Sequence, residues 1–173
     1  MDLTLVGKVS DLPPDVSPIQ IGTEGRFNND NFAVAGRIIY EYDQGAWNEW
    51  HLVLSDGRSA WLSDAQAQYV VTVASAETDL PLQDVLYPGK SYAWNGVTYQ
   101  VTTLTRANYR GVQGELPFEY WDKERATFAD LRSTTGAFAT LDYSDDEPKL
   151  YVGEMVDFDS LRLTNLRAFE GWS

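Results

Sequence analysis

At 173 residues, 43% hydrophobic and 13% aromatic, the chain has enough apolar material for one domain or two small packed ones, and it lacks the composition of a disordered protein. Thirteen Lys and Arg against 26 Asp and Glu leave a formal net charge of -13, which argues against nucleic-acid and peripheral membrane binding and favours cationic ligands or a partner with a basic surface. There is no cysteine, which excludes disulfides, thiolate zinc sites, iron–sulfur clusters and cysteine nucleophiles from this chain.

The opening "MDLTLVGKVSDLPPDVSP" has neither the basic start nor the apolar run of a signal peptide. Nowhere do about 18 apolar residues run together, so no span is expected and a soluble, cytoplasmic protein is. Residues 1–20 read as an N-terminal extension or linker, and a first β unit is expected over 21–76. In "NFAVAGRIIYEY", Phe32, Val34, Ile38, Tyr40 and Tyr42 share one parity while Arg37 and Glu41 take the other, the period of a half-buried strand. Gly36 interrupts it as a candidate bulge. A turn at "DQGAW" leads to a strand over Trp50–Leu54, the Asp56-Gly57 pair predicts a tight hairpin, and "SAWLS" and "AQYVVTV" supply two more strands.

Residues 77–87, "ETDLPLQDVLYPG" in their wider context, read as a connector, and 88–173 as a second β unit packed with the first. Asn95-Gly96 sits between apolar runs as a hairpin turn, followed by alternation of Val97, Tyr99 and Val101. "GELPFEYW" predicts a strand ending at Pro117, "FADLRSTTGAFATLDYS" two strands about a Thr-Gly turn, and "KLYVGEMV" another. "FDSLRLTNLRAF" fits a short helix or a strand end. The halves rhyme: Phe32-Ala33-Val34 with Tyr99-Gln100-Val101, and "SDGRSAWLSDAQAQYVV" with "TTGAFATLDYSDDEPKLYVG". The expected fold is all-β with little helix, as two similar antiparallel barrel- or sandwich-like units from an internal duplication.

"GAWNEWHLVLSDGRSAWLS", Gly45 to Ser63, holds the clearest candidate site. On a straight strand Trp47, Glu49 and His51 project to one side, with roughly 7 Å between successive side chains. With Tyr42 and Trp61 they form a candidate binding surface in which aromatic faces and a carboxylate attract ammonium groups. The competing structural reading is that the tryptophans build a core and Glu49 pairs with a nearby turn. His51 is the sole histidine; without a G-x-S-x-G elbow or a second histidine, neither a serine triad nor a histidine metal site is expected. Glu49 and His51 as an acid–base pair is the only catalytic arrangement the sequence offers. No catalytic residue, metal or cofactor is therefore expected. "LDYSDDEP" gathers Asp142, Asp145, Asp146 and Glu147 without the spacing of a calcium loop, and reads as a solvated acidic loop, with a calcium or polyamine site as the alternative.

The run Gly36-Arg37-Ile38, Tyr40, Tyr42, Trp47 to Trp50, Asp56-Gly57 and Trp61-Leu62 resembles the bacterial domain of unknown function 4178 family, with "GELPF" and "FATLDYSDDEPKLYVGE" like the second copy of longer members. The resemblance covers Val6 to Trp172. It implies no catalytic or binding residues. It implies that longer relatives carry a Cys-pair, zinc-ribbon-like segment ahead of "LVGKVSDLPPDVSPIQIGTEG", which this cysteine-free chain is expected to be without, either as a truncated form or as a natural one that has lost it. It also implies an accessory role near polyamine-metabolism and membrane-stress genes. The sequence thus favours a non-enzymatic β module binding a protein partner with a basic surface; the alternatives are a binder of polyamine-like cations and an enzyme using Glu49 and His51.

Overall fold

A computed structural model of the protein describes residues 17–43, 45–65, 68–117, 125–145 and 147–167. Ten strands follow in chain order: β1 (Glu24–Phe27), β2 (Asp30–Tyr42), β3 (Gly45–Leu54), β4 (Ser59–Ala65), β5 (Gln68–Ala74), β6 (Ser91–Trp94), β7 (Val97–Gly114), β8 (Arg125–Arg132), β9 (Ala137–Asp142) and β10 (Lys149–Val156). Their order in the sheet is β1-β2-β3-β4-β5-β10-β9-β8-β7-β6, and β2 also pairs with β7. That extra pairing closes β2, β3, β4, β5, β10, β9, β8 and β7 into one eight-stranded antiparallel barrel. The two long strands make this possible. The start of β2 pairs with β1 and its end with β7, while the start of β7 pairs with β6 and its end with β2. Both stretches expected to form separate units therefore contribute four strands each to a common barrel.

Bulges decide which face each side chain occupies. In β2 the register shifts between Val34, opposite Leu52, and Gly36, opposite His51. One extra residue reverses the alternation. Phe32 and Val34 consequently pack with Trp50, Leu52, Leu62 and Val71 in one buried cluster, whereas Ile38 and Tyr40 face the barrel interior. The shared sequence parity of Phe32, Val34, Ile38, Tyr40 and Tyr42 is thus not a shared face. β7 does the same between Val101, opposite Leu131, and Thr103, opposite Asp130. Tyr99 and Val101 join Ala129, Leu131, Leu141 and Leu150 in a second cluster, and Thr103 and Thr105 turn inward.

The two outer clusters are covered by irregular chain. Ile19 and Leu161, both nearly inaccessible, close the first; Leu161 ends the 3-10 helix Phe158–Leu161, and of the short helix or strand end expected of the tail this stretch takes the helix, with Thr164 bridging Glu24 beyond it. Leu86, just past the 3-10 helix Gln83–Val85, closes the second. Burying a side chain as large as Trp50 stabilises the fold by about 2–3 kcal/mol. Its polar edge is satisfied, since Nε1 donates to Asp64 at 3.4 Å and the Arg37 guanidinium lies 4.8 Å above the ring while its Nε donates to Asn48 at 2.8 Å.

Glycines sit where the halves join. On β10, a Cβ at Gly153 would fall on the Val71 carbonyl of β5. At the other join Gly36 of β2 faces Gly114 of β7, and a Cβ on either would strike a backbone oxygen. The strand expected over "GELPFEYW" is not formed by Glu115–Pro117, which follow β7 as irregular chain; its remainder, Phe118 to Trp121, lies outside the described residues. Among the described residues no helix is long and apolar enough to cross a membrane.

Candidate ligand-binding cavity

The interior-facing residues of the barrel enclose a cavity of about 1350 Å³. Exposed Asp43, Leu82, Asp84 and Asp145 are among its lining residues, so it opens to solvent. Eight-stranded barrels leave an interior just wide enough for packed side chains or one small ligand. Here part of that interior stays open.

One wall is aromatic. Tyr40 and Trp47 are cross-strand partners on β2 and β3 and stack with centroids 4.9 Å apart. Tyr42 meets Trp47 edge-on at 5.2 Å, and Phe128, from β8, meets Tyr40 and Trp47 edge-on at 5.2 and 5.9 Å. Such geometry presents ring faces and edges to the cavity rather than a closed sandwich.

Two carboxylates project among these rings. Glu49 of β3 accepts Trp47 Nε1–H at 2.7 Å and the Ser63 hydroxyl at 2.7 Å, Ser63 being its direct partner on β4. Asp130 of β8 accepts the Thr140 hydroxyl at 3.0 Å, again from the direct cross-strand partner, and the Thr103 hydroxyl at 3.4 Å. Burial pushes the Glu49 carboxyl up to about 7; the Ser63 and Trp47 hydrogen bonds oppose this, and the charges of Asp130 and Asp142 add to it. Burial also raises Asp130, against its two hydroxyl donors and the Arg132 charge. In both cases loss of water outweighs the hydrogen bonds. Among the described residues of the lining, six carboxylates (Asp43, Glu49, Asp84, Asp130, Asp142, Asp145) stand against three cations (Arg106, Arg132, Lys149). Among the described residues no three His, Cys, Asp or Glu side chains converge as a metal ion would require.

Of the five residues singled out in the sequence, Tyr42, Trp47, Glu49 and Trp61 line the cavity. His51 lies next along the same strand face but is buried, with its ring 5.3 Å from that of Trp61. Its Nδ1 is 2.8 Å from the Glu115 carbonyl, which can only accept, so Nδ1 carries the proton and Nε2 accepts from Ser59 at 2.9 Å. Burial lowers its pKa, with the Glu115 hydrogen bond opposing, and the ring stays neutral. The hydrogen bonds of Glu49 and His51 thus go to different partners, and His51 ties β3 to the chain leaving β7.

Sequence reasoning missed Asp130, Thr140, Phe128 and the inward turn of Tyr40. It read Asp142 as part of a solvated loop. Asp142 instead ends β9 on the cavity wall, and the true loop residue Asp145 pairs with Lys149 at 3.2 Å; Asp146 lies outside the described residues.

The family model described as Domain of unknown function (DUF4178) matches residues 20–158, a stretch that contains all ten strands. The chain belongs to this family. No curated protein and no solved structure matches it. DUF4178 membership therefore assigns no residue a role, and the chemistry has to be read from the cavity itself.

Proposed function

We propose that this DUF4178 barrel binds a small organic ammonium ion, polyamine-like in chemistry, inside the barrel. The observation that carries this reading is Glu49, a carboxylate held by Trp47 and Ser63 in a cavity walled by Tyr40, Tyr42 and Phe128. Ring faces and a desolvated carboxylate both favour a cation whose carbon chain also gains apolar contact. The acidic excess around the lining attracts such ligands to the mouth. Calorimetric titration with butylamine and with spermidine at 0.15 M salt tests it. The expected result is saturable 1:1 binding that Trp47→Ala abolishes. Heat that vanishes at moderate salt, or that Trp47→Ala leaves unchanged, would mean generic charge attraction instead.

A protein partner with a basic surface is a second reading, favoured by one observation. Leu82, Val85 and Tyr87, on the connector beside the cavity mouth, are 66%, 44% and 58% exposed. A pull-down at low and moderate salt, with Leu82→Asp as control, addresses it; equal recovery with the control removes this patch from consideration.

The barrel is also best understood as an internal duplication. Matching register supports it. Phe32, Val34, Leu52, Ala60, Leu62 and Val71 of the first cluster correspond in strand and pairing to Tyr99, Val101, Leu131, Ala139, Leu141 and Leu150 of the second. The bulges fall directly after Val34 and Val101, and the turns before β2 and β7 place Asn28 and Asn95 at φ of 48° and 51°.

A further inference from the structure

We infer that the ligand of the barrel carries two cationic nitrogens joined by a short carbon chain, one recognised at Glu49 and the other at Asp130. This rests on the amine-binding reading and specifies the ligand class.

The two carboxylates come from β3 and β8, which are separated around the barrel by β2 and β7, so they stand on different walls of one cavity. Each is fixed by a hydroxyl from its own cross-strand partner, Ser63 for Glu49 and Thr140 for Asp130. These donors orient the carboxylates without neutralising them. A carboxylate has about four acceptor positions, so both retain capacity toward the cavity. The same cavity is lined by Phe128, two positions from Asp130 on β8, and by the Tyr40–Trp47 stack, which meets Phe128 edge-on and whose Trp47 donates to Glu49. An aliphatic chain bridging the two acids would lie against these rings.

A ligand with one charge would engage only one of the two acids and leave the other to keep its proton or stand uncompensated. Among the described residues three cations, Arg106, Arg132 and Lys149, also line the cavity. Arg132, two positions along β8 and exposed, lowers Asp130 but does not outweigh its burial, and Lys149 is engaged with Asp145. Asp142 adds further negative charge near Glu49. Tyr40 and Tyr151, also on the lining, are raised by burial and stay neutral. A dication meets both acids at once, and the second contact is intramolecular once the first has formed.

The test is calorimetry at pH 8 with butylamine, 1,3-diaminopropane, 1,4-diaminobutane and 1,5-diaminopentane, on the wild type, Glu49→Gln and Asp130→Asn, each checked for native circular dichroism. At least one diamine is expected to bind 10-fold or more tightly than butylamine, and each substitution to bring that diamine to within a few-fold of butylamine. Diamines within about twofold of butylamine on the wild type, the statistical factor for two equivalent ends, would overturn the two-point inference and leave the amine reading standing. A diamine advantage that survives Asp130→Asn would overturn the assignment of the second point. Saturable binding of none of the four amines would overturn the amine reading itself. The wild-type comparison needs no variant, so the inference remains open to refutation even if a substitution unfolds the barrel.

Discussion

Replacing Glu49 with Gln separates the stability of the barrel from its affinity for cations. Burial raises the Glu49 carboxyl from 4.5 to about 7 in the folded chain. The folded state therefore holds the proton more tightly than the unfolded one. Its stabilisation is complete below the unfolded value and is lost as pH rises through 7. A rise of ~2.5 pH units at about 1.36 kcal/mol each makes the ionised carboxylate cost about 3 kcal/mol at pH 8, as an order-of-magnitude ceiling. Gln keeps the shape and the hydrogen bonds: its oxygen accepts from Trp47, and its amide meets the Ser63 hydroxyl, but no charge is buried. Thermal unfolding followed by circular dichroism, without amine, at pH 4.5 and pH 8 measures the difference. At about 2–4 °C per kcal/mol for a chain of this size, Glu49→Gln should melt several degrees above wild type at pH 8, with ~6–12 °C as the upper limit. At pH 4.5 the two should agree to within about 2 °C. Equal melting at pH 8, or the same offset at both pH values, would refute the claim that Glu49 carries a buried charge.

The sole histidine gives a single-residue NMR reading: the His51 ring protons should titrate below the ordinary imidazole value of 6.5, because burial disfavours the charged form, and stability should fall as pH drops below 6.5. A midpoint above 6.5 would contradict the burial. Gly153→Ala drives a methyl into the Val71 carbonyl where β10 meets β5, and should destabilise by ~3 kcal/mol or more in urea melts; a loss under about 1 kcal/mol would mean that this join is not as close as described. Leu52→Ala and Leu131→Ala, at corresponding fully buried positions, should each lose ~2–5 kcal/mol, and a near-neutral result at either would break the correspondence of the two clusters.

Much of this fold is visible in two-residue alternation and turn chemistry. Asp56-Gly57 and Asn95-Gly96 are turns, with Gly57 and Gly96 at φ of 88° and 78°, because only such residues adopt that backbone without strain. Asn28-Asn29, at φ of 48° and 68°, makes the corresponding turn between β1 and β2 without a glycine. Antiparallel barrel-like pairing was legible, but its closure into one barrel shared by both halves was not, since β2–β7 and β5–β10 join residues far apart in the chain and no local pattern specifies long-range pairing. Gly36 marked the bulge of β2, but the parity argument ran straight through it: the one extra residue sends Val34 outward and Ile38 inward, and nothing comparable marks the bulge after Val101. Trp47 and Glu49 were legible as one strand face because β3 runs without a register break there. Asp130 and Thr140 were not, because their pairing becomes apparent only once the register between β8 and β9 is known.

The central claim is that amines enter the barrel rather than gather on its acidic exterior. Intermolecular NOEs between the methylene protons of 1,4-diaminobutane and the ring protons of Trp47 and Phe128 measure this directly. The account predicts strong NOEs to both rings at saturating ligand. Chemical-shift changes confined to the exposed acids, such as Asp56, Glu154 and Asp157, with no NOE to either ring, would contradict it.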